Sequence, residues 1–310
     1  MKAVRFQNRV AMSSATLPIA TVISVLLWCA HGFFEMKLLY GALSCGLITY
    51  LWTEINNTNS LIRIRSFLTS SVYVFLCGCL FGLHSFSEGH VISALVLLSY
   101  GLLFKSYSSA GSVLNFFHAF LCLGLASLLF PKVLLFVPIY LWYAFVYLRS
   151  LSLRTFSAAI VGLLLPYWLV GCYSLYKGEN LFIGYVDELI TFHPISIAVY
   201  ADWILTDLLG FILVSVFSII SGIHCLRSGF NDKVRTRMLL YLLLTQEFII
   251  GLFVLLQPNL LNVLFPILVM NTSPILAHFF ALTHHKVTNV LFVLFVMLFI
   301  ALAILSIWMS

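Results

Sequence analysis

Residues Arg237–Leu282 read RMLLYLLLTQEFIIGLFVLL, then Gln257-Pro258-Asn259, then LLNVLFPILVMNTSPILAHFFAL. Each arm is long and apolar enough to cross a hydrocarbon core of about 30 Å. The Gln-Pro-Asn between them is turn chemistry, so the stretch is expected to be a transmembrane hairpin. Polar residues interrupt both arms: Thr245-Gln246-Glu247 in the first and Asn271-Thr272-Ser273-Pro274 in the second. Glu247 lies 11 residues before Pro258 and Asn271 lies 13 after it. At about 1.5 Å of rise per residue, both sit roughly 16–20 Å from the turn, at similar depth. An ionisable side chain there costs a few kcal/mol or more, so it is rarely idle.

The rest of the chain repeats this pattern. Of its 310 residues, 62% are hydrophobic and 8% charged. A soluble domain carries about 25% charged residues. Such a composition excludes a soluble fold and implies one integral membrane domain over residues 1–310, all-α, a polytopic transmembrane helix bundle in contact with the lipid bilayer. The net charge of +6 comes from Lys and Arg scattered singly at the ends of apolar runs, which is the pattern of membrane loops and not of a nucleic-acid partner. Lys2, Arg5 and Arg9 before Leu17–Trp28 read as a signal anchor, since no small-residue cleavage site follows. The seven cysteines fall mostly inside apolar runs without a CxxC, as small buried hydrophobes do.

Eleven helices are expected, at 11–30, 37–53, 66–86, 90–105, 111–130, 132–148, 155–176, 203–226, 237–256, 259–282 and 287–308. With the N-terminus inside, the inner loops hold 13 of the 16 Lys and Arg: Lys2, Arg5, Arg9, Arg63, Arg65, Lys105, Arg149, Arg154, Arg227, Lys233, Arg235, Arg237 and Lys286. The outer loops hold Lys37, Lys132 and Lys177. This asymmetry predicts a cytoplasmic N-terminus and a periplasmic C-terminus. The longest outer loop, 177–202, contains NLFIGYVDELITFHP. Its apolar residues Phe182, Tyr185, Val186, Leu189 and Ile190 recur at helical spacing, with Asp187 and Glu188 on another face. It reads as an amphipathic helix in the outer interface, or as a lid over a cavity.

Three places carry candidate chemistry. The first is Glu247 with Gln246, Thr245, Asn271, Thr272 and Ser273. Pro266 and Pro274 each remove a helical hydrogen bond, and an unwound segment at Asn271–Ser273 would expose carbonyls to a ligand, as in discontinuous transporter helices. The alternative is a hydrogen-bonded Glu247 between helices that the prolines merely kink. The second is the outer surface, with His31, Glu35, His84, Glu88, His90, Asp187, Glu188, His193, Asp202 and Asp207. Imidazoles and carboxylates can serve as acid and base, but their spacing matches no metal motif, and no metal or cofactor is expected. The third is the inner surface, where Arg149 and Arg154 flank a short turn and can bind a phosphate; the inside bias of positive charge also explains them. His278, His284, His285 and Lys286 form a weaker inner cluster.

Leu125–Val170 reads LASLLFPKVLLFVPIYLWYAFVYLRSLSLRTFSAAIVGLLLPYWLV, and Asn56–Leu76 reads NNTNSLIRIRSFLTSSVYVFL. Small residues before Phe130-Pro131, the Arg149-x4-Arg154 loop and Gly162-Leu-Leu-Leu-Pro166-Tyr167 together resemble a family of multi-pass membrane proteins of Bacteroidota, some of which carry a beta-carotene monooxygenase name that the sequence does not support. The resemblance covers about half the chain and implies an inner-membrane location, with no assigned activity. More loosely, the layout is similar to polytopic glycosyltransferases that use polyprenyl-phosphate sugars. Those have an acid in the first outer loop, where Glu35 stands here, but that loop is far longer in them than the roughly seven residues of this chain. That likeness implies an envelope protein acting on a lipid-linked glycan, with Glu35, Asp187 and Glu188 as candidate catalytic acids. Two further expectations stand beside it: a secondary transporter with its site at Glu247 and Asn271–Pro274, and a non-catalytic membrane scaffold.

Overall fold

In this computed structural model the described residues are 5–309 apart from 33–34, 65, 110, 179–181, 193–199 and 201–202. Lys2, Arg65, Glu179, His193 and Asp202 therefore lie outside the described residues. The chain is all-helical, with no strand among the described residues. It groups into two compact units, one of residues 1–90 with 195–310 and one of residues 91–194.

The first unit begins with α1 (Phe6–Met12) and α2 (Thr16–His31), whose axes meet at 97°. Ser13 is extended at the corner, and the Thr16 hydroxyl donates to the Val10 carbonyl across it. Pro18 falls in the first turn of α2, where a missing N–H costs nothing. Gly32, at φ 109°, ends α2 in a backbone conformation that favours glycine. Then come α3 (Met36–Asn59) and α4 (Leu68–Cys79), followed by a short 3-10 turn at Phe81–Leu83 and the first residues of α5 (Glu88–Lys105). The four remaining helices of this unit are α10 (Leu205–Ser228), α11 (Val234–Leu256), α12 (Leu261–Leu282) and α13 (Lys286–Met309).

α12 is the central helix of the unit and packs against α4, α10 and α11. Every residue from Leu264 to Ala281 is buried. Helices that are apolar on all sides end up surrounded, and α12 is apolar around its whole circumference except at its polar middle. At its C-terminal end, α1 supplies what the helix lacks. The Gln7 side-chain amide donates to the carbonyls of Phe280 and Thr283, two of the orphan acceptors that a helix end leaves. Gln7 N–H is bonded to Asn289 Oδ1 at 3.0 Å, and Asn8 Nδ2 meets His284 Nδ1 at 2.6 Å.

The second unit contains α5 from Val91 onward, α6 (Val113–Leu129), a 3-10 segment Pro131–Phe136, α7 (Val137–Val146), α8 (Leu153–Lys177) and α9 (Phe182–Ile190). Its main interface is α6 on α8. A Cβ on Gly162 would lie 2.3 Å from the Phe117 carbonyl oxygen, and one on Gly124 would lie 2.7 Å from that of Leu163. The two backbones therefore touch at both glycines, as small residues allow in membrane helix pairs. Tyr167 Oη donates to Ser127 Oγ at 2.7 Å one turn further on. Gly162, Pro166 and Tyr167, noticed above only as a motif, are thus the residues with which α8 grips α6. α9 rests on the 3-10 segment, where the Lys132 ammonium lies 5.7 Å from the ring centres of Phe130 and Phe192.

One expectation is met in part and one changes. Seven helices (α3, α5, α8, α10, α11, α12 and α13) are long and apolar enough to cross a membrane by length and composition, or eight if bent α1–α2 is one span. The other expected spans are shorter apolar helices: Leu68–Cys79, Val113–Leu129 and Pro131–Val146. The run at 66–86 divides because the chain leaves the helix at extended Leu80. The unwinding expected at Asn271–Ser273 does not occur. α12 is continuous through Pro266 and Pro274. The Thr272 hydroxyl lies 2.8 Å from the Leu268 carbonyl, the Ser273 hydroxyl donates to that of Val269 at 2.7 Å, and helices close on all sides hold the segment in register. At Pro266 the carbonyl left without a helical donor is that of Asn262, and Ser87 Oγ approaches it at 3.4 Å. Gly89 makes that approach possible: a Cβ there would sit 2.9 Å from the same oxygen.

Candidate functional site

Three helices of the first unit bring polar side chains together at their midpoints: Ser218 from α10, Glu247 from α11 and Thr272 from α12. Each lies close to the middle of its own helix, so all three share one depth. Ser218 Oγ donates to Glu247 Oε1 at 2.8 Å. The Thr272 hydroxyl also reaches Glu247 Oε1. Its single proton is shared between that oxygen and the Leu268 carbonyl, so it serves one of them at a time.

Only one edge of the carboxyl is held. Glu247 Oε2 is buried and meets no protein partner among the described residues. The same is true of both amide atoms of Gln246, the neighbour of Glu247, and both amide atoms of Asn271, the neighbour of Thr272. Gln246 and Asn271 are fully buried. That makes five polar atoms at mid-depth without a protein hydrogen bond: a carboxyl oxygen, two amide oxygens and two amide nitrogens. A buried polar group left without a partner costs about 1–3 kcal/mol. Such groups are rare in folded proteins and call for a ligand, a water or an ion to complete them. The set offers three acceptors and two donors, which suits a small polar molecule, a protonated amine or a file of waters and suits an apolar ligand badly. Ser273, expected here, turns to its own helix and bonds the Val269 carbonyl. Thr245 does likewise, bonding Tyr241 and Leu242.

A second constellation lies toward the end of this unit that carries Arg63. Asp232, in the turn between α10 and α11, receives Arg63 Nε at 2.6 Å on Oδ1 and His278 Nε2 at 3.1 Å on Oδ2. The Asp232 and His278 side chains are fully buried, whereas 37% of the Arg63 side chain reaches solvent. Burial works to raise the Asp232 carboxyl. The hydrogen bond and charge of His278, with those of Arg63, outweigh it, so the group sits below the ordinary carboxylate range. Alongside, Arg235 Nη2 donates to Asn59 Oδ1 at 2.8 Å and Thr236 Oγ1 to the Ser60 carbonyl at 3.3 Å.

The acids proposed from the outer loops are placed differently. Glu35 is exposed and precedes α3 without capping it, in the first unit. Asp187 and Glu188 are exposed on α9, in the second. Arg149 is exposed at φ 49° after α7, and Arg154 is exposed in the first turn of α8. The histidines of the 84–90 turn are spent on structure. His84 Nε2 donates to the Gly78 carbonyl at 3.1 Å, its ring stacks on Trp28 at 4.0 Å, and its Nδ1 meets His31 Nδ1 at 3.0 Å. His90 Nε2 donates to the Leu83 carbonyl at 3.0 Å. Among the described residues no three His, Cys, Asp or Glu side chains are grouped to hold a metal ion.

Sequence reasoning did not find Ser218 or the Arg63–Asp232–His278 group. Ser218 had a faint signal: with Ser221 it interrupts an apolar run at the depth already marked by Glu247. Arg63, Asp232 and His278 lie 169 and 46 residues apart, and no spacing rule joins them. No protein-family model, curated protein or solved structure matches this chain.

Proposed function

We propose that this protein is a secondary transporter of the cell inner membrane that binds a small polar or cationic solute at mid-depth, against Glu247, Gln246 and Asn271. The observation that carries this reading is the five buried polar atoms of Glu247, Gln246 and Asn271 with no protein partner among the described residues, two of them donors and one the free edge of the carboxyl. A scaffold would gain stability from apolar residues at these positions. An enzyme of lipid-linked glycans would need its acids held beside a lipid headgroup, whereas Glu35, Asp187 and Glu188 are each exposed and, among the described residues, their side chains carry no hydrogen bond that orients them. In this reading the three shorter apolar helices and the bent first pair also cross the bilayer. That makes about eleven crossings, with the N-terminus and the Arg63 end in the cytoplasm, as the positive charges favour.

The test is native mass spectrometry of the protein gently extracted from its own membrane, comparing wild type with Glu247→Gln and Glu35→Gln. The expected result is a small polar molecule retained by wild type and by Glu35→Gln and lost from Glu247→Gln. A polyprenyl-phosphate or glycolipid lost from Glu35→Gln would overturn the proposal in favour of the lipid-linked enzyme. Bulk phospholipid alone, unchanged by either substitution, would overturn it in favour of a scaffold.

A further inference from the structure

Asn271 of the first constellation and His278 of the second lie on one face of α12. Asn271 and His278 are seven residues apart on α12, two turns to within about 20°, with an axial separation of about 10.5 Å. Both present unpartnered polar atoms to the buried interior: the whole amide of Asn271, and Nδ1 of His278. Pro274 stands on the same face between them. Having no N–H, it leaves the Met270 carbonyl without its helical donor and so adds an acceptor along the way. About four hydrogen-bonded steps of about 2.8 Å span the gap. At the far end of the row His278 Nε2 is bonded to Asp232, and Asp232 to Arg63, which reaches solvent.

Resting on the reading of Glu247 as the transport site, we infer that Asp232 and His278 are a proton port, joining Glu247 through a short file of waters past Asn271 to the side of the membrane that carries Arg63. A proton leaving Glu247 Oε2 is taken at His278 Nδ1 while the Nε2 proton passes to Asp232 and on to water beside Arg63. One proton enters the ring as one leaves, and the reverse sequence loads the site. Arg63 keeps Asp232 ionised between passages, which makes it a positioning residue. The other titratable groups that feel the pair are His224 and Cys225 on α10, and His285 beyond α12 acts on His224. The groups bonded to Glu247 are the hydroxyls of Ser218 and Thr272.

The test needs no transported solute. Dicyclohexylcarbodiimide modifies buried carboxyls only when they are protonated, so labelling of Glu247 reports its proton. Full-length protein is placed in vesicles of known orientation with a buffered pH difference across the membrane. In wild type the labelling is expected to follow the pH on the Arg63 side alone. In His278→Gln and in Asp232→Asn that one-sided dependence is expected to disappear, while labelling at equal pH on both sides persists. Asp232→Asn keeps the shape of the pair, so it serves should His278→Gln fail to fold. A merely structural role for the pair would lower thermal stability and leave the sidedness intact, which overturns the port. Labelling that follows the opposite side, or both sides equally, in wild type also overturns it while leaving the Glu247 site standing. A Glu247 that is unlabelled at every pH would overturn the transport site itself.

Discussion

The interface of α6 with α8 and the layer of α10, α11 and α12 solve opposite problems with similar residues. In the first, glycines bring two backbones into contact and the Tyr167 hydroxyl finds the Ser127 hydroxyl. In the second, serine and threonine hydroxyls meet one edge of a carboxyl and the amides beside it go unanswered. A polar group placed only to hold helices together is given its partner, because the bilayer offers no water in exchange. Groups left open at that depth cost stability, and the cost is reasonable only where something else occupies them.

The contrast makes opposite demands on mutants. Gly162→Ala places a methyl against the Phe117 carbonyl with no room for it, and the helices must part. A loss of about 3 kcal/mol or more is expected, measured as a fall in thermal midpoint and in the folded yield after extraction. Gln246→Met removes an unpartnered amide at nearly constant volume. It is expected to raise stability by about 1–2 kcal/mol while abolishing retention of the polar ligand. A destabilised Gln246→Met would erase the distinction between the two regions.

The glycine contact was only half legible beforehand. Gly162-x3-Pro166-Tyr167 was visible as a pattern, but nothing in it names Phe117, Gly124 or Ser127 as its partners, because which helices pair is not written in the period of either one. Membrane helices are readable because lipid demands long apolar runs, and Glu247 and Asn271 could be set at one depth by counting residues from Pro258. Ser218 joined them from another helix through packing alone. Two prolines suggested a broken helix and the structure keeps it whole, since hydroxyls and close neighbours supply what the prolines remove. Arg63 had been read as a marker of sidedness and His278 as part of a weak inner cluster. Their second role appears only when the turn after α3, the turn before α11 and α12 come together.

A smaller effect separates the regions by acid. The folded-state pKa of Asp232 is depressed, so the stability it contributes is present above the unfolded value near 3.9 and is lost as pH falls through the folded one. Thermal midpoints are expected to fall below about pH 4, and this acid step should shrink in Arg63→Gln. Smallest is Tyr167→Phe, which deletes one hydroxyl pair from the well-partnered interface and is expected to cost about 1 kcal/mol in thermal unfolding, without altering the retained ligand.

The clasp at Gln7 and Asn8 bears on the order in which the protein is made. The amides that complete the end of α12 are made 273–282 residues before Phe280, Thr283, His284 and Asn289. Until they are made α1 has nothing to hold, and the final carbonyls of α12 stay bare until α1 docks on them. Assembly of this unit therefore waits for α12 and the start of α13, and a chaperone or insertase that shelters α1 has its work during that interval.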